Sequence, residues 1–534
     1  MQILLLALLG LMPFGVIAQE VFEPADFNVK EALLKNGVDV ADLPELSQLG
    51  KRSSMSRCEV ACNSLQKIFD NDKVAIREDN SYEAFTSPFW SAQQQATTPQ
   101  CIFKPETAVD VSTLVLLSRL TQCPFAVRSG GHAAFASASN IQGGITVNFE
   151  KMKDITLSED KKVAAIQPGN RWGEIYSNLE SHNLAVVGGR ISDVGIGGLT
   201  TGGGISFFAN QYGWTCDNVD SYEVVTASGQ IVTVSPTSFP DLYFALRGGG
   251  NSFAIVTKFN LETFSHGPLM FGGHLHYDNT SFPALFDALV KLGESSADDT
   301  KATQMISLVF NATTGTQMAI AELEYADPVA EPAFFEPYRQ IPAIYDTTKL
   351  DTLANITQVL NSQNPNGYRE SYWTASAKLD RGIVQFVYDV SKEEFAKITD
   401  VQGIVPATTL QIITVPQMEQ MQKKGGNALG LDSSDGPILN ILLTLMWVNS
   451  KDDARVWQAC ANILKRIEEE AKSRDLANEY LYMNYASQFQ DVIRGYGASK
   501  EILKIVADKY DPTQVFQKLQ PGYFKLDGPP AVLP

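Results

Sequence analysis

Three glycine clusters fall within the stretch 130–250, and they constrain what this chain can become more than any other feature. The densest, Gly188–Gly204, holds eight glycines in seventeen residues. Each glycine costs folding entropy and offers no side chain to bury, so so dense a run predicts close approach of a ligand to bare backbone. A second cluster ends the strand-like run Pro124-Phe125-Ala126-Val127-Arg128, where Ser129-Gly130-Gly131 leads directly into His132, one of five histidines in 534 residues. Glycines at such a point let backbone N–H groups turn toward an anion and hold the histidine beside whatever the loop binds. The third, Arg247-Gly248-Gly249-Gly250-Asn251, precedes the apolar run Phe253-Ala254-Ile255-Val256-Thr257. Together they predict a domain wrapped around a long, phosphate-bearing ligand. A dinucleotide fingerprint is disfavoured, because Thr200 stands in the third glycine place after Gly195 and Gly197. A P-loop fails as well, since no Gly-Lys-Ser/Thr follows.

Between Cys101 and Phe264 the chain alternates short strand and helix patterns. Strands are predicted at Cys101 to Lys104, through Arg128, and at Ile145–Asn148, Val163–Ile166, Leu184–Val187, Tyr222–Thr226 and Ile231–Val234. Thr107 with Asp110 starts a helix whose apolar face is Val111, Leu114, Val115 and Leu117, and another helix begins near Arg171. The domain reads as α+β. The middle of the chain has alternating strands, such as Gly382 to Tyr388 and Leu442 to Val448, and no comparable glycine cluster. Cys460 lies at helical spacing with Trp457, Leu464, Ile467 and Ala471 and reads as a buried thiol, while Asp452-Asp453 reads as that helix's start.

With 44% hydrophobic and 19% charged residues the chain is ordinary globular material, long enough for two or three cores. A net charge of -18 with no basic cluster argues against nucleic acid. Met1 to Ala18 reads as a secretory signal, with Ile3 to Leu9 as its apolar core and a cut ahead of Gln19; Pro13 and Gly15 interrupt a run too short for a membrane anchor. The mature protein is expected to be soluble and secreted. The sequons at Asn279, Asn311 and Asn355 fit that route. So do Cys58, Cys62, Cys101 and Cys123, for which an oxidising compartment predicts two disulfides, with all three pairings open. Zinc spacing is lacking, and His274-Leu275-His276 has no third ligand nearby, so no metal is expected. Lys51-Arg52 is a dibasic pair in a polar stretch, a solvated loop or a processing site.

Several motifs in order carry a specific resemblance. Arg128-Ser129-Gly130-Gly131-His132, Pro168-Gly169-Asn170-Arg171-Trp172-Gly173, Val194-Gly195-Ile196-Gly197-Gly198 with Gly202-Gly203-Gly204, Asp241 to Gly250, Tyr482-Met483-Asn484-Tyr485 and Tyr510-Asp511-Pro512 with Phe516 follow one another as in vanillyl-alcohol-oxidase type flavoproteins. The chain most resembles the berberine-bridge-enzyme-like, oxygen-dependent FAD-linked oxidoreductases. The resemblance implies an α+β fold with a bipartite PCMH-type FAD-binding domain and an α+β substrate domain built on an antiparallel sheet. It places a signal peptide at 1–18, an extension at 19–57, the FAD domain at 58–265 with its PCMH-type core about 95–265, the substrate domain at 266–474, and a closing segment of the FAD domain at 475–534.

It also implies site residues. His132 would bond through a ring nitrogen to the flavin 8α carbon, a neutral imidazole being nucleophilic. Ile191 occupies the place where many relatives carry a second, cysteinyl tether, and Cys216 does not align with it, so a single link is implied. Arg128, Ser129, Gly130, Gly131, Ala133, Gly169, Trp172, Gly189, Val194, Gly195, Gly198, Gly202, Gly203, Val256 and Asn484 are the remaining cofactor-binding candidates. Val194 falls where the family gates oxygen. Tyr485 matches the family's catalytic base, with Tyr482 beside it; a tyrosine so used needs a nearby positive charge or hydrogen-bond donors. The implied activity is a two-electron oxidation of a small organic molecule in secondary-metabolite biosynthesis, with oxygen as acceptor. A carbohydrate oxidase and a non-catalytic flavin- or glycan-binding protein are the alternatives.

Overall fold

The computed structural model describes residues 22–49, 55–77, 79, 82, 84–85, 89–528 and 530–534. The signal segment and Lys51-Arg52 lie outside the described residues.

Three sheets organise the chain. The first has the order β1 (Val74–Ile76), β2 (Cys101–Phe103), β4 (Ile145–Asn148), β3 (Phe125–Arg128). Strands β2, β4 and β3 are parallel, with Phe125 opposite Ile145 and Arg128 opposite Asn148. Helix Ala108–Thr121 makes the crossover between β2 and β3. Its N-cap Thr107 accepts from Asp110 N at 3.2 Å, as the sequence predicts, and Val111, Leu114, Val115 and Leu117 are buried. The double-glycine loop therefore leaves the carboxyl end of a parallel strand, where open α/β sheets bind ligands.

The second sheet has β5 (Ile155–Leu157), β6 (Val163–Ile166), β10 (Ile255–Ser265), β8 (Val219–Val225) and β9 (Ile231–Val234), with β7 (Leu184–Val186) also on β10. The third, antiparallel, runs β14 (Tyr345–Asp346), β11 (Met270–Asp278), β13 (Gln317–Tyr325), β12 (Ala302–Phe310), β17 (Val405–Ile413), β18 (Ile438–Trp447), β16 (Arg369–Lys378), β19 (Ala477–Asn478), with β15 (Lys349–Asp351) beside β11. One face of this sheet, including Ile306, Leu308, Leu410 and Leu443, packs on helices Phe282–Glu294, Arg381–Phe395 and Asp453–Ser473. The opposite face looks toward the glycine loops.

One expectation changes here. Gly382 to Tyr388 is helical, not a strand. Asp380 caps this helix by accepting from Ile383 N at 2.9 Å, and Ile383, Val384, Val387 and Val390 bury one helical stripe. The β-branched residues mimic a strand, yet the 3.6-residue period decides. In the extension before Arg57, helix Val29–Lys35 buries Leu33 in the core of the first sheet. That core is closed from the other end of the chain by Val515, Phe516 and Leu519.

Both disulfides form, as Cys58–Cys123 and Cys62–Cys101, tying helix Arg57–Ile68 to the first sheet. Cys460 is a buried free thiol. Asp452 precedes the first turn of its helix without a side-chain capping bond, while Asp453 pairs with Arg369 and accepts from Trp447 Nε1 at 3.0 Å. Asn279, Asn311 and Asn355 are exposed. Among the described residues, no helix is long and apolar enough to cross a membrane and no cluster of three or more metal-ligating side chains occurs.

Candidate active site

A cavity of about 820 Å³ separates the glycine loops from the open face of the third sheet. Ser129, Gly130, Gly131, His132, Ala133, Val194, Gly195, Gly198, Val256, Tyr482, Asn484 and Tyr485 line it, so twelve predicted site residues meet in one place. Arg128, Gly169, Trp172, Gly189, Gly202 and Gly203 do not line it. Arg128 and Gly169 line a neighbouring pocket that shares Ser129 with it. Arg128 lies over the Phe89 ring at 4.0 Å, and Trp172 is fully buried. A Cβ on Gly188 or Gly189 would meet the Trp172 indole at 2.1 or 2.5 Å. These two glycines make room for the indole, and the chain then turns so that Arg190 enters the cavity.

The same test corrects the reading of the glycine run. Most of its glycines admit other protein atoms rather than a ligand. A Cβ on Gly130 would lie 2.3 Å from Gly195 N, one on Gly195 would lie 2.2 Å from Gly130 N, and one on Gly202 would lie 2.1 Å from Asn484 Oδ1. Gly198 alone in that run has nothing within 4 Å. Gly130→Ala is therefore expected to destabilise the protein at or beyond the upper end of the roughly 1–3 kcal/mol typical of overpacking, because backbone must move on both sides. Gly198→Ala is expected to leave the melting temperature of flavin-free protein unchanged while lowering flavin content. Thermal melts and absorbance of the two variants check this pair.

His132 is clamped by Trp90, the rings stacked 4.1 Å apart at 13°. Its Nε2 is buried without a hydrogen-bond partner. Burial pushes its pKa down to about 4, a backbone hydrogen bond and Asp193 offsetting this only in part, so the ring is neutral at ordinary pH. Tyr482 is buried; its hydroxyl accepts from Gly204 N and Ile205 N at 3.1 Å each and from Asn484 Nδ2 at 3.0 Å. Asn484 also donates to Leu199 O at 3.0 Å. Burial raises the Tyr482 phenol, and its bonds, with those of Asn484, dock the closing segment onto the glycine helix Ile196–Thr201 and the turn that follows it. Its ring meets Tyr485 edge-on at 4.7 Å.

The Tyr485 hydroxyl faces the cavity, accepts from Arg190 Nη2 and donates to Gln411 Oε1 at 3.1 Å. Arg190 also reaches Met305 Sδ at 3.1 Å. Burial works against its charge, but Tyr485, Glu322, Tyr482 and Glu324 outweigh this and its pKa rises. Glu322 and Glu324 are 5% and 3% exposed, each with one unpartnered oxygen. Burial raises both carboxyls, Glu322 adds to the rise at Glu324, and Arg190 opposes it at each. Sequence reading passed over Trp90, Arg190, Gln411 and these acids. Glu322 and Glu324, two residues apart in an apolar strand, carried a signal of inward acids; Trp90 carried none.

Of the two histidines on β11, His276 lines the cavity and His274 is buried against Gln363. Cys216 is buried beside Asp217, away from the cavity lining, and Ile191 lines it.

A cavity of this volume at the carboxyl end of parallel strands, with an open glycine helix and an orphaned imidazole nitrogen, fits FAD, the cofactor of a flavin-dependent oxidoreductase. A protein-family profile described as an FAD binding domain matches residues 99–235. FAD-dependent monooxygenase tpcD of Cochliobolus heterostrophus is 36% identical over 454 residues, covering 83% of this chain and 87% of the relative. FAD-dependent monooxygenase FUP4 of Fusarium proliferatum is 35% identical over 506 residues, covering 90% and 97%. Among solved structures, 6-hydroxy-D-nicotine oxidase from Arthrobacter nicotinovorans superposes with a TM-score of 0.71 at 18% identity, over 85% of this chain and 97% of that one. Physcomitrella patens BBE-like 1 gives 0.69 at 17%, over 95% and 99%. The chain belongs to the family of FAD-dependent oxidoreductases that includes these FAD-dependent monooxygenases, and it shares the fold of the two solved structures.

Proposed function

We propose that this protein is a secreted, N-glycosylated oxidase that removes two electrons from a small organic substrate in secondary-metabolite biosynthesis, with FAD tethered once, through His132. The observation that carries the reading is the Arg190–Tyr485 pair in the cavity wall. A phenol that must accept a proton needs a cation to stabilise its anionic form, and Arg190 stays charged at any working pH. Gln411 fixes the hydroxyl from the sheet side. His132, Ser129 and the open backbone at Gly198 would hold FAD; when bound, FAD accepts a hydride and passes the electron pair to an acceptor, here molecular oxygen. Val194 lines the cavity, and a side chain of this size there is compatible with oxygen as the acceptor. Tyr485 meanwhile keeps the abstracted proton away from water.

The test is anaerobic mixing of the yellow protein with candidate alcohols, phenols and sugars. A donor that bleaches it, followed in air by one hydrogen peroxide per product, supports an oxidase. An oxygen atom built into the product instead would mean the monooxygenase activity named for the relatives, and no bleaching by any donor would favour a binding protein. A mobility shift of the secreted protein after endoglycosidase treatment checks the sequons.

A further inference from the structure

Glu370, near the start of β16, is an acid without a partner in the cavity wall. It is 4% exposed, and its hydrogen bonds are made by its backbone alone, which exchanges N–H and C=O with the Gln93 side chain at 3.1 and 2.7 Å. Among the described residues its carboxyl has neither a hydrogen bond nor an ion pair. Its neighbours are uncharged: Met446 opposite on β18, Val405 one strand further, Gln93 behind it, and Tyr372 on the same face, edge-on to Trp90. An ionised carboxylate in such surroundings costs several kcal/mol, roughly, unless it is paired. Burial alone lifts this acid to about 9, so it stands un-ionised at neutral pH.

The sheet beneath is mostly hydrocarbon. On β12, β17 and β18 the cavity is faced by Met305, Val309, Val405, Ala407, Leu442 and Met446, with the hydroxyls of Ser307, Thr409 and Thr444 between them. The hydroxyls among them are few, and Ser307 and Thr409 already bond each other at 2.9 Å.

We infer that the substrate is a neutral, flat, lipophilic molecule that lies on these rows and accepts the Glu370 acid hydrogen at a carbonyl-type oxygen. This rests on the reading of the cavity as the substrate site. An oligosaccharide would lay hydroxyls on these hydrocarbon rows, and each one left unpaired there would cost about 1–3 kcal/mol. A cationic amine would have to leave water for a wall that carries an un-ionised acid.

Calorimetric titration of the flavin-loaded enzyme with 2-acetylnaphthalene, 2-ethylnaphthalene, 1-(2-naphthyl)ethylamine and cellobiose tests it. The ketone is expected to bind roughly tenfold more tightly than its hydrocarbon isostere, the worth of one good hydrogen bond. Glu370→Leu should erase that advantage, whereas Glu370→Gln, which keeps a donor, should hold it to within about threefold. In the wild type the advantage should fall roughly tenfold between pH 8 and pH 10 as the acid ionises, and in Glu370→Gln it should not. The pH series needs no variant, so misfolding of either substitution leaves the inference testable. Tightest binding by the amine, binding of cellobiose, or equal binding of ketone and isostere would each overturn it. A ketone that binds as expected to a protein no donor can bleach would count against the oxidase reading alone.

Discussion

Replacing His132 with alanine is expected to give a protein that folds but loses every trace of acid-stable colour. Wild-type protein precipitated with acid should come down yellow; the variant's pellet should be colourless, with any FAD left in the supernatant. The fold should survive because the imidazole makes no side-chain hydrogen bond through its buried Nε2. What is lost is its stack on Trp90, a contact worth about 0.5–1.5 kcal/mol beyond area burial. The pH range follows from the same burial. With its pKa near 4 the ring keeps its lone pair at both pH 5.5 and pH 7.5, so tethering should proceed to the same extent at either. A half-exposed histidine titrating near 6.5 would instead lose most of its nucleophilic form at the lower value. Colour that leaves the wild-type polypeptide on acid treatment would remove the tether from the mechanism, while leaving the cavity's fit to FAD untouched.

How much of this was legible beforehand depended on whether a feature was local. The loop after β3 could be read because a strand, two glycines and a histidine are contiguous. The closing turn Met483–Tyr485 was legible for the same reason, through its motif. The meaning of the glycines was not. Gly130 and Gly195 press on each other across 65 residues of chain, and nothing in either segment announces the other. Their density does constrain close approach to the backbone, but the approaching groups are mostly this protein's own side chains, with main chain meeting main chain at Gly130 and Gly195. The acids were hidden for a different reason. Glu322 and Glu370 look like ordinary strand residues until the third sheet turns one face inward, and burial is a tertiary property. The helix Arg381–Phe395 went unread because β-branched residues outweighed a stripe that only its partners on Asp453–Ser473 make obligatory.

Arg190 was the largest omission, and it carries the other large effect. Arg190→Met keeps an unbranched, flexible side chain but is shorter, gives up the guanidinium contact with Met305, and removes the only cation among the cavity-lining residues described that bonds Tyr485. Turnover at pH 7 is expected to fall by about 10²–10⁴, the range that a positioned proton acceptor contributes. Part of it should return as the pH is raised, since solvent base then does what the guanidinium did. Arg190→Lys should recover some of the loss at neutral pH, but not all, because an ammonium lacks the fork that reaches Tyr485 and Met305 together. Glu322 and Glu324 decide what happens to stability. Both already have raised pKa values, and without Arg190 the opposing attraction is gone, so they should take up protons rather than remain as buried charges. The variant should then be least stable at alkaline pH, where those protons are withdrawn, and closest to wild type near pH 5. Thermal melts across that range, run beside the rate measurements, separate the two roles. If turnover and stability fell together at every pH, Arg190 would be holding the acids and doing nothing for Tyr485.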